Sequence, residues 1–448
     1  MGRRAQLPGP GLVETARRLP AVVRSPFAAL EDLHQRHGPI VAFGHGPFAY
    51  LCLFGPAAHQ LVMADRTDAF RWAEAFEPLI AVNGPTALVV SDGDEHRRRR
   101  RLAQPAFGLK RIEGYLPIVL DEVGRVIDSW APGTTTDVIA DLRHAVRRIV
   151  VRALFGDGLR DRADEVGAHL EVAIAYVNRS PVTRFDHDWP GLPYRRAMRA
   201  RRAVDDIVYA EIEARRAAPT DADDVLSALV AAQEDGEQPL TDDEVRDQVI
   251  SLIAAGYDTT TAGVAWTIHA TFSRPDVRDR ARAEIEAVAG DRPLTVELLG
   301  SMPYLAGVVS ESLRLWPPAA FGGRYAVEDV PFAGHVIPAG TTVLFSQYVT
   351  HRDPELWPDP LRFDPERWVE GSPTFRPPEP YAYIPFGGGY RRCIGFALAT
   401  MEIKAILAEL LRRVDLTVLD AEPTPTGVAT MSPAGGVRAT VHPRRGAA

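Results

Sequence analysis

The stretch Phe386 to Gly395, FGGGYRRCIG, places a single cysteine, Cys393, between glycine turns and beside Arg391 and Arg392. Gly387, Gly388 and Gly389 let the backbone fold close to the sulfur with amides turned inward, and residues 394–413 read as a helix whose positive end lies beside it. Both features favour thiolate over thiol. A thiolate held in this way is a nucleophile or a metal ligand, and the stretch has no histidine to serve a nucleophile as base.

A lone thiolate is an axial ligand for haem iron, where it favours O–O cleavage. The pattern FxxGxRxCxG, carried by Phe386, Gly389, Arg391, Cys393 and Gly395, resembles the haem-binding signature of the cytochrome P-450 family. ESLR (Glu311 to Arg314) resembles the family's ExxR motif, and Arg367 in FDPERW matches its third partner. Alone, Glu311 and Arg314 read as a surface i,i+3 ion pair worth about 0.2–0.5 kcal/mol. The resemblance implies a buried, structural Glu–Arg–Arg cluster instead. It also implies that His96 and Arg100, one helical turn apart in DGDEHRRRRRLAQPAF, bind the haem propionates together with Arg324 and Arg391. Arg97, Arg98, Arg99 and Arg101 are then expected to face outward. AGYDTT (Ala255 to Thr260) resembles the family's AGxDT segment. By that likeness Asp258 feeds protons, Thr259 holds a water or reduced oxygen by its hydroxyl, and Gly256 leaves room for dioxygen.

These groups need long helices to position them. Thr241 is a natural N-cap, Glu244 can close a capping box, and no proline follows until Pro275. The pattern predicts a central helix over 242–274, about 48 Å long. Its middle, AAGYDTTTAG, is rich in poor helix formers and predicts a local opening that serves a ligand. Further helices are expected near 111–130, 137–155, 160–178 and 195–216, a hairpin within 39–55, and polar connections at 217–224 and 234–240. The expectation is one unit spanning 1–448, with a strand-rich start at about 38–55 and a helical core at about 56–413. Its class is mainly α with small β-sheets (α+β), the cytochrome P-450 fold.

At 448 residues, 46% hydrophobic and with a formal net charge of −8, the chain can bury a large core and lacks the basic balance of a nucleic-acid binder. Its two cysteines, Cys52 and Cys393, form no disulfide framework or metal cluster pattern, which fits a cytoplasmic protein. The amino terminus reads as neither signal peptide nor membrane anchor. No dinucleotide fingerprint and no iron–sulfur cysteines occur. The resemblance therefore implies haem b, dioxygen, and NAD(P)H-derived electrons brought by a ferredoxin or flavodoxin with its reductase. An acidic partner would dock on a basic patch of Arg97, Arg98, Arg99, Arg101, Arg392, and Arg412 or Arg413. By analogy, the substrate pocket is lined from 76–90, 170–195, 318–322 and 429–435, with Phe76, Leu88, Val89, Ala254, Ala255, Phe321 and Met431 named. Mainly apolar and small, it suits a lipophilic substrate such as a terpenoid, steroid or fatty acyl chain. The expected protein is a monomeric monooxygenase. Alternatives on the same scaffold are a peroxygenase, an isomerase or dehydratase, and a haem-based binder without turnover.

Overall fold

The structure, a computed structural model, describes residues 7–24, 26–44, 49–177, 187–218, 224–232, 238–420, 422–427 and 429–443. Parts of the expected hairpin within 39–55, the helix near 160–178, the pocket segment 170–195 and the polar connections at 217–224 and 234–240 lie outside the described residues.

The central helix runs from Asp242 to Phe272, 31 residues, and stops before Pro275 begins the next helix at N1. Thr241 and Glu244 form the expected capping box. The helix is buried on all sides over most of its length, packing against the helices Val138–Phe155, Pro303–Leu315 and Phe396–Arg413. The expected opening in its middle is not found: the helix is unbroken. The Thr259, Thr261 and Thr267 hydroxyls each donate to the carbonyl four residues back, adding a bond there without breaking the helical ladder.

Helices at Leu109–Ser129, Val138–Phe155, Ala163–Val177 and Pro193–Ala217 match the periodicity. Strands Ile40–Phe43 and Tyr50–Leu53 form the expected antiparallel hairpin. The hairpin extends into a five-stranded sheet: Tyr50–Leu53 pairs parallel with Thr342–Phe345, which pairs antiparallel with Gly322–Ala326, and Phe70–Arg71 closes the far edge. A three-stranded sheet joins Thr135–Asp137, Arg438–Pro443 and Val414–Val418. The main core lies among the helices, while a smaller core under the five-stranded sheet includes Leu51, Leu53, Val343 and Phe345.

Candidate active site

Cys393 sits at the end of the glycine-rich loop, three residues before the helix Phe396–Arg413. Its backbone N–H donates to the Phe386 carbonyl at 2.8 Å, closing the loop on itself. Gly389 has φ +60°, and a Cβ there would meet the Met63 carbonyl oxygen at 2.0 Å, so only glycine lets the loop pass. Desolvation pushes the Cys393 thiol above its usual value, opposed by the Gly395 amide, Arg100 and Arg392. The Gly395 amide thus favours the thiolate as expected, but desolvation outweighs it. The sulfur's surroundings are crowded, yet the residue remains accessible, as a side chain facing an internal recess does. Coordination to a metal ion would ionise a thiol in such a place. Cys52, by contrast, lies inside the sheet with its thiol pushed up to about 12.

His96 and Arg100 come from the helix Gly93–Ala103. That helix is tied to the first turn of the central helix. Glu244 closes the capping box with Oε2 on the Thr241 N–H at 3.1 Å and accepts with Oε1 from Arg99 Nε at 2.8 Å and from Arg98. Arg98 and Arg99 therefore point inward, which corrects their expected outward placement. Arg97 and Arg101 are exposed, and Arg97 pairs with Asp94. In the rest of the expected basic patch, Arg392 is exposed, with its guanidinium 3.9 Å from the centre of the Phe396 ring, and Arg413 pairs with Asp128 and Glu409.

His96 is buried, and its Nδ1 has no hydrogen-bond partner. Desolvation, then Arg391 and Arg100, push the imidazole down to about 3, so it is neutral near pH 7. Arg324 is 2% exposed and makes no ion pair among the described residues; its bonded acceptor is the Gly323 carbonyl, and its guanidinium lies 3.5 Å from the centre of the Trp72 ring. Desolvation pushes its pKa well below the usual value. An arginine does not lose its proton in a protein, so this is a desolvated cation that calls for an anion. Arg100 likewise lacks an ion-pair partner among the described residues and lies close enough to Cys393 to influence its thiol. Buried Arg324 and His96 and half-buried Arg100, together with an accessible thiol, are the donor set that a dianionic, iron-bearing macrocycle such as haem would satisfy.

Arg391 is placed differently. It pairs with Asp92 at 2.6 Å and donates to the Ser91 carbonyl, leaving Nε unpartnered. Asp92 was not foreseen. It is the N-cap of the helix Gly93–Ala103, but its carboxylate accepts from the Trp72 and Ala73 amides and from Arg391 instead of capping. Trp72, the ring beneath Arg324, was missed too, because nothing local in its sequence marks it.

Behind the cysteine helix, Arg314 grips Glu311 through Nε and Nη2, each at 2.8 Å, with both side chains fully buried. Arg367 Nε lies 3.4 Å from the same carboxylate, which also accepts from the Asp364 amide and Trp368 Nε1.

On the central helix, Ala255 is exposed in a largely buried element, marking the stretch that faces open space. Thr259 donates to the Ala255 carbonyl, leaving its oxygen lone pairs as acceptors. Asp258 pairs with Arg143 of the helix Val138–Phe155 at 3.2 Å, a partner the sequence did not announce. Burial raises the carboxyl's pKa against the opposing pull of Arg143.

The named pocket residues separate. Leu88 and Val89 lie in the loop held by the central helix, where Asp247 accepts from Thr86 and Gln248 from the Leu88 amide. A Cβ at Gly84 would meet the Asp247 carboxylate at 2.0 Å. Phe76 stacks on Trp72 with centroids 5.1 Å apart. Phe321 and Met431 belong to another cluster, with Phe27, Ala320 and Tyr348. Met431, at 0% exposure, lines no open space, because that aromatic cluster and Trp266, whose Nε1 donates to the Met431 carbonyl, enclose it. Within 170–195, Val172, Pro190, Leu192 and Arg195 help to line a cleft of about 660 Å³ that also takes in Arg196 and Arg199. Arg195, Arg196 and Arg199 give this cleft a basic wall.

The Cytochrome P450 family model matches residues 13–437. A protein of Mycobacterium tuberculosis named cytochrome P450 139 is 40% identical over 386 residues, covering 86% of this chain and 90% of its own. The cyclooctat-9-en-7-ol 5-monooxygenase of Streptomyces melanosporofaciens is 35% identical over 410 residues, covering 90% of this chain and 88% of its own. The solved structure of retinoic acid-bound cyanobacterial CYP120A1 superposes with a TM-score of 0.83 at 28% identity, covering 92% of this chain and 93% of that one. The chain belongs to the cytochrome P450 family and is a haem-dependent monooxygenase.

Proposed function

We propose that the protein inserts one oxygen atom of O2 into a C–H or C=C bond of a lipophilic small molecule, with Cys393 as the thiolate ligand of haem b. The observation that carries this reading is the convergence of Cys393 with His96, Arg100 and Arg324, three basic side chains without an ion pair among the described residues. The bound haem supplies the reductive activation of dioxygen. His96 Nδ1–H and the two guanidiniums would bind its propionates, and Arg391 stiffens the loop from behind through Asp92. The Gly395 amide holds the sulfur, and Phe386 closes the loop. Thr259 holds a water or reduced oxygen through its free lone pairs, and Asp258 passes protons toward it. Glu311, Arg314 and Arg367 keep the core rigid behind the cysteine helix.

The whole chain acts as one catalytic unit, a cytoplasmic monomer. Its electrons come from NAD(P)H through a ferredoxin or flavodoxin and a reductase. For the substrate, one relative acts on cyclooctat-9-en-7-ol and the cyanobacterial neighbour binds retinoic acid, both mostly hydrocarbon, and Leu88, Val89, Ala254 and Ala255 suit such a molecule. The test is a screen of terpenoids, steroids and fatty acids for displacement of water from ferric iron, read as a blue shift of the Soret band. Hits are then assayed for product with reduced ferredoxin, with peroxide and with neither. Product only with reduced partner supports the reading; turnover with peroxide alone, or with neither, overturns it.

A further inference from the structure

Asp258 is not held by Arg143 alone. The Arg143 guanidinium also lies 5.7 Å from the centre of the Tyr257 ring and is influenced by the Tyr257 and Glu171 side chains. Tyr257 in turn donates to Glu171 of the helix Ala163–Val177. Glu171 is shared again, with Arg147 at 3.5 Å, and Arg147 continues to Asp164 at 3.2 Å and to His144 Nδ1 at 2.7 Å. Arg148 adds a second cation on Asp164 at 2.6 Å. Three arginines from the helix Val138–Phe155 thus stand between three acids. Asp258 is on the central helix, and Asp164 and Glu171 are both on the helix Ala163–Val177.

The seating of that last helix is unusually close. A Cβ on Gly167 would meet Arg147 Cδ at 1.7 Å, so the helix backbone rests directly on the arginine's stem. Any displacement of the helix Ala163–Val177 therefore changes how far Glu171 engages Tyr257 and Arg147, and how much of Arg143 is left to Asp258.

We propose that Arg143 is a positioning residue shared between Asp258 and the Tyr257–Glu171 pair, so that the seating of the helix Ala163–Val177 decides how firmly Asp258 is held. With the helix seated, the Glu171 charge competes for Arg143, and Asp258 is free to take up and release a proton. With the helix withdrawn, Arg143 belongs to Asp258 alone and keeps it ionised. The two influences on the Asp258 carboxyl have opposite sign: Arg143 pulls its pKa down and Glu171 pushes it up. The inference rests on the reading of Asp258 as the acid that handles protons.

The experiment uses the full chain with haem, and follows the Asp258 side-chain carboxyl by 13C NMR, its signal assigned by its loss in Asp258→Asn. In Glu171→Gln its midpoint should fall by about half a pH unit or more, and in Arg143→Gln it should rise by a similar amount. Arg143→Lys should restore most of the native value. Gly167→Ala, which touches neither Asp258 nor its partners' charges, should move the midpoint in the same direction as Glu171→Gln. Shifts of the same sign in Glu171→Gln and Arg143→Gln, or none in Gly167→Ala, overturn the proposal. The fraction of NADPH electrons recovered in product is measured on the same variants. If the carboxyl shifts as stated while that fraction stays constant, the positioning stands and the catalytic reading of Asp258 fails.

Discussion

Arg314 and Glu311 meet fork to fork, Nε to Oε2 and Nη2 to Oε1 each at 2.8 Å, with both side chains at 0% exposure. The pair is only three residues apart on one helix, which on a surface would be worth a few tenths of a kcal/mol. Here Arg314 Nη1 also donates to the His351 carbonyl at 2.6 Å, and the Asp364 amide and Trp368 indole donate to Glu311. Removing one charge strands the other without water.

Glu311→Gln should therefore destabilise the protein by about 3–5 kcal/mol. Denaturant unfolding of the haem-loaded protein measures it, and a loss within about 0.5 kcal/mol would show that the pair is dispensable.

Replacing Cys393 with histidine should abolish the long-wavelength band of the reduced carbon monoxide complex, while the haem is retained by His96, Arg100 and Arg324. The visible spectrum of the reduced, carbon monoxide-treated variant decides it. An unchanged band would mean that another group ligates the iron.

The parts legible in the sequence were those whose chemistry is local. The central helix announced both ends, because a capping box and a following proline are contiguous signals. The cysteine loop announced itself by glycines. Partners that meet only after folding stayed hidden: Asp92 looks like an N-cap and is spent on Arg391, and Arg143 and Glu171 lie 115 and 86 residues from Asp258 and Tyr257 respectively. The arginine run misled for the same reason. Its outward direction was argued from helix geometry alone, and Glu244 of a distant helix draws Arg98 and Arg99 in. The threonines misled in the opposite way, because a hydroxyl bonded to the carbonyl four residues back coexists with an intact helix.

Glu402 predicts a pH dependence of stability. It lies on the helix after Cys393, 2% exposed, with Oε1 unpartnered, and desolvation pushes its carboxyl from 4.5 up to about 8. The folded protein therefore keeps a proton that the unfolded chain loses above pH 4.5. The stability this confers is complete below pH 4.5 and declines as pH rises toward about 8. Glu402→Gln has no such titration. Relative to the native protein it should gain up to about 1.4 kcal/mol per pH unit across that window, measured by urea unfolding at a series of pH values. Parallel stability curves for the two proteins would place the carboxyl's titration elsewhere.

Thr259→Ala should separate oxygen consumption from product formation. The Thr259 hydroxyl already donates to the Ala255 carbonyl, so what it offers the recess is a lone pair, an acceptor for a water or for the reduced oxygen's own proton. Without that acceptor, protons arrive unguided and hydrogen peroxide is released while electrons continue to be drawn. Folding should be unaffected, because the back-bond is not part of the helical ladder and alanine is the better helix former. Asp258→Asn should behave differently and slow electron consumption and product together, since the proton source itself is lost. Product, peroxide and NADPH are measured in one vessel with a substrate identified by the Soret screen. The expected result is a fall in product per NADPH of about tenfold in Thr259→Ala, below the 10²–10⁴-fold range of a positioned proton-transfer group because Asp258 remains. Unchanged coupling would make Thr259 a back-bonded helix residue and nothing more, with protons reaching the recess by a route that does not pass its hydroxyl.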